Sequence, residues 1–165
     1  MKTVLFVLLF SPIFVFAQSE TKGLGVSVGF HTEKCLNTDL FFELNKNRFH
    51  IGATYQFTDK EGKADRHDNR VYPPGFAGIK DFFYSIDLGY SRFVWKGVNV
   101  QIVASGGEKY DYVNQGSNHH VFNEKTVFGA GGYVGYQYKV VEVFAGGHSL
   151  RGAGGGIRLN FGLKR

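Results

Sequence analysis

Six histidines, one cysteine and fourteen carboxylates are the groups from which this 165-residue sequence could build acid–base, nucleophilic or metal chemistry. His148-Ser149 sets a hydroxyl beside an imidazole, the two types from which a hydrolytic nucleophile and its base are drawn. Catalysis would need both on one face with an acid behind the imidazole. In a strand, neighbours point to opposite faces, and Glu142 stands six residues away, about 20 Å along an extended chain. Asp65, Asp68 and Asn69 carry oxygen donors and His119-His120 two imidazoles. Neither run has the ordered ligands of a calcium loop or the ligand number of a zinc site, so no metal and no other cofactor is expected. Gly152-Ala153-Gly154-Gly155-Gly156 opens no helical pattern and reads as close strand packing rather than a phosphate cradle.

A second set of ionisable residues, Glu43, His50, Asp87, Glu142 and Arg158, recurs at polar positions between apolar ones. The elements that must hold them have a period of two. Leu24, Val26, Val28 and Phe30 alternate with Gly25, Ser27, Gly29 and His31, and Phe49, Ile51, Ala53, Tyr55 and Phe57 alternate with His50, Gly52, Thr54 and Gln56. The same rhythm runs through Leu40 to Leu44, Phe82 to Tyr90, Val98 to Ala104, Phe128 to Tyr138, Val141 to Ala145 and Ile157 to Leu163. Period two means strands, and there are eight. Lys46-Asn47, Trp95-Lys96-Gly97 and Lys139-Val140 read as short turns that all fall at one end. The Lys46-Asn47 turn would pair Asn45 with Arg48, and therefore Glu43 with His50. At the other end Thr58 to Asp81 and Gly106 to Lys125 read as long polar loops, with Tyr72, Phe76, Tyr110, Tyr112 and Phe122 as candidate contact residues.

Met1-Lys2, the apolar run Thr3 to Phe16 and Val15-Phe16-Ala17 have the layout of a secretory signal peptide cleaved before Gln18. The run falls short of the roughly 20 residues a membrane-spanning helix needs, and no later stretch reaches 18 consecutive apolar residues. Residues 18–165 then form one domain. A single Cys excludes a disulfide scaffold. Hydrophobic residues at 43% and aromatics at 16% exclude a disordered tail. The net charge of +5 is dispersed, and an exported chain meets no nucleic acid, so none is expected as a partner.

Eight antiparallel strands can close with the apolar face inward around a ligand or outward into lipid. The polar face decides between these. It holds mainly Gly, Ser, Thr, Asn and Gln, with Glu43, Asp87, Glu142 and Arg158 as its charges, a composition suited to a narrow lumen rather than to open water. Aromatic residues gather at both ends of the apolar face: Phe49, Phe93, Trp95, Tyr136, Tyr138 and Phe161 at the short-turn end, and Phe30, Tyr55, Phe57, Phe82 and Tyr84 at the other. The expected fold is all-β, an eight-stranded antiparallel up-and-down transmembrane β-barrel, with Glu43, His50, Asp87, Glu142 and Arg158 forming a luminal polar network.

With its leader ending Val15-Phe16-Ala17, the alternating strand Phe49 to Phe57 and the closing segment Gly154 to Phe161, the chain resembles the small eight-stranded outer-membrane barrels of OmpA and OmpX type over roughly Gly23 to Leu163. The resemblance is one of pattern. It implies a monomer in the bacterial outer membrane, in contact with membrane lipid and lipopolysaccharide. Its expected role is envelope integrity or adhesion-like binding of an extracellular protein or glycan through the long loops, not primarily catalysis. The alternatives are an outer-membrane lipid-modifying hydrolase using His148 and Ser149, and a secreted lipocalin-like carrier with the strand faces inverted.

Overall fold

The computed structural model describes residues 23–57, 64–65, 79–115 and 118–162, without the side chains of 64–65, 79–80, 113–115 and 118–122. The leader, residues 1–17, lies outside them. The strands are β1 (Gly23–His31), β2 (Cys35–Leu44), β3 (Asn47–Gln56), the two-residue β4 (Ala64–Asp65), β5 (Ile79–Trp95), β6 (Val98–Gln115), β7 (Asn118–Tyr138), β8 (Val141–His148) and β9 (Gly152–Gly162). The eight long ones pair in the order β7-β6-β5-β3-β2-β1-β9-β8, and β7 pairs with β8, which closes the sheet on itself. Every long pair is antiparallel; β4 alone pairs in parallel, with β7. This is the eight-stranded up-and-down barrel that the alternation implies.

Period two fixes what faces where. Ser27, Asn37, Arg48, His50, Thr54, Ser85, Asp87, Ser91, Asn99, Gln101, Ser105, Glu142 and Arg158 are buried inside, while Ile86 (65% exposed), Ile102 (63%) and Val143 (56%) stand outside. The outer face of the long strands is apolar from Leu24 to Phe30 on β1 and from Ile157 to Phe161 on β9, and on β5 and β6 its charges stand at the edges, Arg92 toward the short turns and Glu108 on the rising part of β6. A soluble carrier has the reverse arrangement, so burial removes the lipocalin-like alternative.

Several boundaries differ from those that alternation implies, among them Trp95, which closes β5 and leaves Lys96-Gly97 as the turn. The β2–β3 turn is Asn45-Lys46, not Lys46-Asn47, because Asn45 adopts the left-handed backbone (φ 57°) that asparagine tolerates. Leu44 therefore pairs with Asn47, Glu43 with Arg48 and Phe41 with His50, and Glu43 is not opposite His50. The segment Gly106 to Lys125 is not a loop. β6 and β7 continue through it as a paired hairpin, and β5 begins at Ile79, so three strands rise past the rim set by the other five. Phe82, Tyr110 and Tyr112 make that extension worth ordering: all three are buried, and Phe82 stacks on Tyr110 with centroids 5.0 Å apart. Phe82 thus belongs to this cluster rather than to an aromatic girdle, and Phe93 faces the barrel mouth beneath the Arg48 guanidinium, 4.4 Å from its ring centre.

Cys35 opens β2 at the rim. It is 1% exposed, and its thiol donates to the Glu33 carbonyl at 3.3 Å.

Candidate functional site

Two groups of charged side chains occupy the lumen. Near the short turns, Arg48 on β3 donates from Nε to Glu43 on β2 at 2.8 Å and from Nη1 to Glu142 on β8. Arg158 on β9 donates to the other oxygen of Glu142 and to Gln101 on β6. Glu43 also accepts from Asn160 at 2.9 Å, and Arg48 donates to Gln137. Two guanidinium ions thus face two carboxylates, with Glu142 bridging both. The guanidinium groups also sit over aromatic rings, with the Arg158 Cζ 4.0 Å from the Phe144 ring centre and the Arg48 Cζ 4.9 Å from that of Phe41. Charges withdrawn from water require this degree of pairing, since one left alone would cost several kcal/mol.

The second group lies toward the hairpin end. Asp87 on β5 accepts from Arg151 at 3.0 Å, Thr54 at 2.6 Å, Ser85 at 3.0 Å and Ser105. Arg151 comes from the β8–β9 turn, which folds its guanidinium into the barrel, where it also donates to Thr54 at 2.7 Å. Between the two groups His50 meets Asp39 at 3.3 Å and Ser91 at 2.9 Å. The gap left there, bounded by Asn37, Asp39, His50, Asp87, Gln101 and Arg158, is about 10 Å³, on the scale of one water.

Of the five residues expected to share one luminal network, Glu43, Glu142 and Arg158 fall in the first group, Asp87 in the second, and His50 between them. Arg48 and Arg151 escaped the sequence reading. Arg48 lies two residues before His50 on the same strand face, so one more step of the alternation reaches it. Arg151 sits in a turn, where period two says nothing about direction.

His148 and Ser149 diverge. The His148 ring points inward, accepts the Leu150 amide at Nδ1 (3.2 Å) and so carries its proton on Nε2, which donates to Ser105 at 3.0 Å. Ser105 in turn donates to Asp87. The order is acid–serine–imidazole, with the imidazole donating to the serine, the reverse of the direction that activates a hydroxyl. Ser149 instead accepts the Ala130 amide at 3.1 Å on the exposed side. Among the described residues no three His, Cys, Asp or Glu side chains converge as metal ligands. Asp65 pairs through its backbone with His120, and Ala64 with His119; Asp68 and Asn69 lie outside the described residues.

The loop candidates part company too. Tyr110 and Tyr112 lie in β6 and are fully buried, so their rings serve the hairpin and present no contact surface. Phe122 lies in β7 with its side chain outside the described residues, and Tyr72 and Phe76 lie outside them altogether. Glu108 accepts from Tyr84 and Tyr110, Lys109 pairs with Asp81, and Asn123 donates to Asp111 at 2.7 Å, binding the three rising strands together.

Fold and site together define a class: a closed eight-stranded barrel, apolar outside, its lumen filled by paired charges. Among solved structures the chain is similar to Neisserial surface protein A (NspA), with a TM-score of 0.50 at 14% identity over 84% of this chain and 95% of that one. It is also similar to the N-terminal β-barrel domain of Pseudomonas aeruginosa OprF, with a TM-score of 0.48 at 15% identity over 87% and 98%. Both are small eight-stranded outer-membrane β-barrels. No protein-family model and no curated protein matches the chain.

Proposed function

We propose that this chain is an integral barrel of the bacterial outer membrane, with its short turns in the periplasm and the β5–β6–β7 extension outside. It acts there as a closed scaffold for envelope integrity and for adhesion-like contact with an extracellular protein, a glycan or lipopolysaccharide. The observation that carries this reading is the facing of the strands: an uncharged apolar belt surrounds a lumen whose charges are consumed by one another. A belt of this kind is stable in hydrocarbon and would aggregate in water. Among the described residues the space between the two charge groups is about 10 Å³, which supports a filled lumen and turns attention to the projecting hairpins as the part to meet a partner. NspA, with which the chain shares its fold, is named as a surface protein.

Fractionation of cells making the chain tests this reading. Recovery in the outer membrane is expected, with faster migration of the unheated than of the boiled sample on a denaturing gel. Protease added to intact cells should cut within the extension. Recovery as a soluble protein, or a chain resistant outside and cut only after the envelope is opened, would overturn it.

A further inference from the structure

The exposed charges at the two ends of the barrel differ in kind. At the hairpin end, Glu33, Lys34, Asp81, Glu124 and Lys125 mix the signs. At the short-turn end the exposed charged residues among those described are Lys46, Arg92, Lys96 and Lys139, all cations. Each of the three turns contributes one lysine, and Arg92 lies beside Asn47 in the ladder. The carboxylates nearby are committed: Glu43 to Arg48 and Asn160, Glu142 to Arg48 and Arg158. None of the four cations is ion-paired among the described residues.

The backbone fixes this arrangement. Phe93 N–H donates to the Lys46 carbonyl at 2.9 Å and Gln137 N–H to the Gly97 carbonyl at 2.8 Å, which ties the β2–β3 turn to β5 and the β5–β6 turn to β7. Between the turns lies a depression of about 550 Å³ whose lining includes Glu43, Lys46, Phe93, Trp95, Lys96 and Lys139. Trp95 is 71% exposed, and Tyr136 and Tyr138 stand exposed on the apolar face at the same end; the Lys139 ammonium lies 5.4 Å from the Tyr138 ring centre. Indole and phenol rings settle where hydrocarbon gives way to headgroups, and lysine stems run along such rings to place the charge at the phosphate level.

We infer that this end is a cationic collar that recruits anionic phospholipid headgroups from the leaflet around it. The inference rests on the membrane reading above. Four like charges held near one interface attract anionic lipid through a field that salt screens within a Debye length. Zwitterionic headgroups offer no such net attraction. The aromatic members fix the depth of the collar, and the lysines and Arg92 select the lipid.

Trp95 is the only tryptophan and stands in the collar, so it reports on its own neighbours. The full chain would be folded into phosphatidylcholine vesicles containing a minor share of phosphatidylglycerol, with bromine carried by one lipid or the other at equal mole fraction. Brominated phosphatidylglycerol is expected to quench Trp95 about twofold more than brominated phosphatidylcholine at low salt, with the ratio falling to about one near 0.5 M salt. The combined variant Lys46→Gln, Arg92→Gln, Lys96→Gln, Lys139→Gln should keep the heat-dependent gel shift and lose the preference. Equal quenching in the unaltered chain, a preference indifferent to salt, or its abolition by soluble glycerol phosphate would each overturn the collar. A chain that inserts into phosphatidylcholine but shows no preference overturns the collar alone; one that inserts into no vesicle overturns the membrane reading with it.

Discussion

Glu142 is the residue on which the short-turn half of the lumen depends. It is 1% exposed and its two oxygens serve two guanidinium groups, whereas Glu43, nearer the mouth, meets one guanidinium, that of Arg48, besides the Asn160 amide and is partly open to water. Glu142→Gln leaves Arg158 without a carboxylate, and the loss of one partner of a buried pair costs about 3–5 kcal/mol. Glu43→Gln leaves Arg48 still paired to Glu142 and puts a neutral amide where Glu43 keeps some contact with water, so it should cost less than Glu142→Gln. Urea unfolding in detergent micelles, followed by Trp95 fluorescence, measures both. Similar midpoints for the two variants would show that the bridging role assigned to Glu142 is wrong.

At the scale of the strand, glycine decides how closely neighbours approach. Gly156 on β9 lies opposite Gly29 on β1, along the seam where first and last strands meet. A Cβ on Gly156 would stand 2.0 Å from the Val28 carbonyl oxygen and 2.8 Å from the Phe144 ring, the ring that carries Arg158. Gly132 faces outward, and a Cβ there would find its nearest neighbour at 3.8 Å. Gly156→Ala should therefore lower stability by at least about 1–3 kcal/mol through overpacking, while Gly132→Ala leaves it nearly unchanged. Unfolding midpoints of the two single variants compare them directly; a neutral Gly156→Ala would mean that the seam is looser than its contacts indicate. Strand identity and facing were legible because alternation repeats over many residues, and Leu24 to Phe30 or Phe49 to Tyr55 allow no other assignment. Ends were less legible. A left-handed Asn45 moves a turn by one residue and gives Glu43 a new partner. The rise of β6 and β7 past the rim hides behind Gly106-Gly107 and the polar run Glu108 to Asp111, whose order comes from Tyr110 and Tyr112 meeting Phe82 across the hairpin.

The whole molecule separates closure from projection. Barrel closure runs through the β1–β9 pairs Gly23–Gly162 to His31–Gly154 and the β7–β8 pairs Gly131–His148 to Tyr138–Val141, and both luminal charge groups lie within that span. The pairs from Lys109–Lys125 upward add nothing to it. Replacing residues 109–125 by an Asn-Gly turn should therefore leave the heat-dependent gel shift intact and remove the part of the chain proposed to touch a partner. A variant that fails to close would instead make the extension part of the folding core. The same asymmetry bears on Cys35. In the oxidising compartment that the proposed location implies, a lone thiol could couple to another copy of the chain or be oxidised beyond repair. Here closure itself is the protection: once β1, β2 and β3 are zipped, the sulfur is sealed beneath the Glu33 carbonyl. The rim residue thus sets a race, in which a chain that zips late risks covalent capture and a chain that zips early leaves nothing to capture.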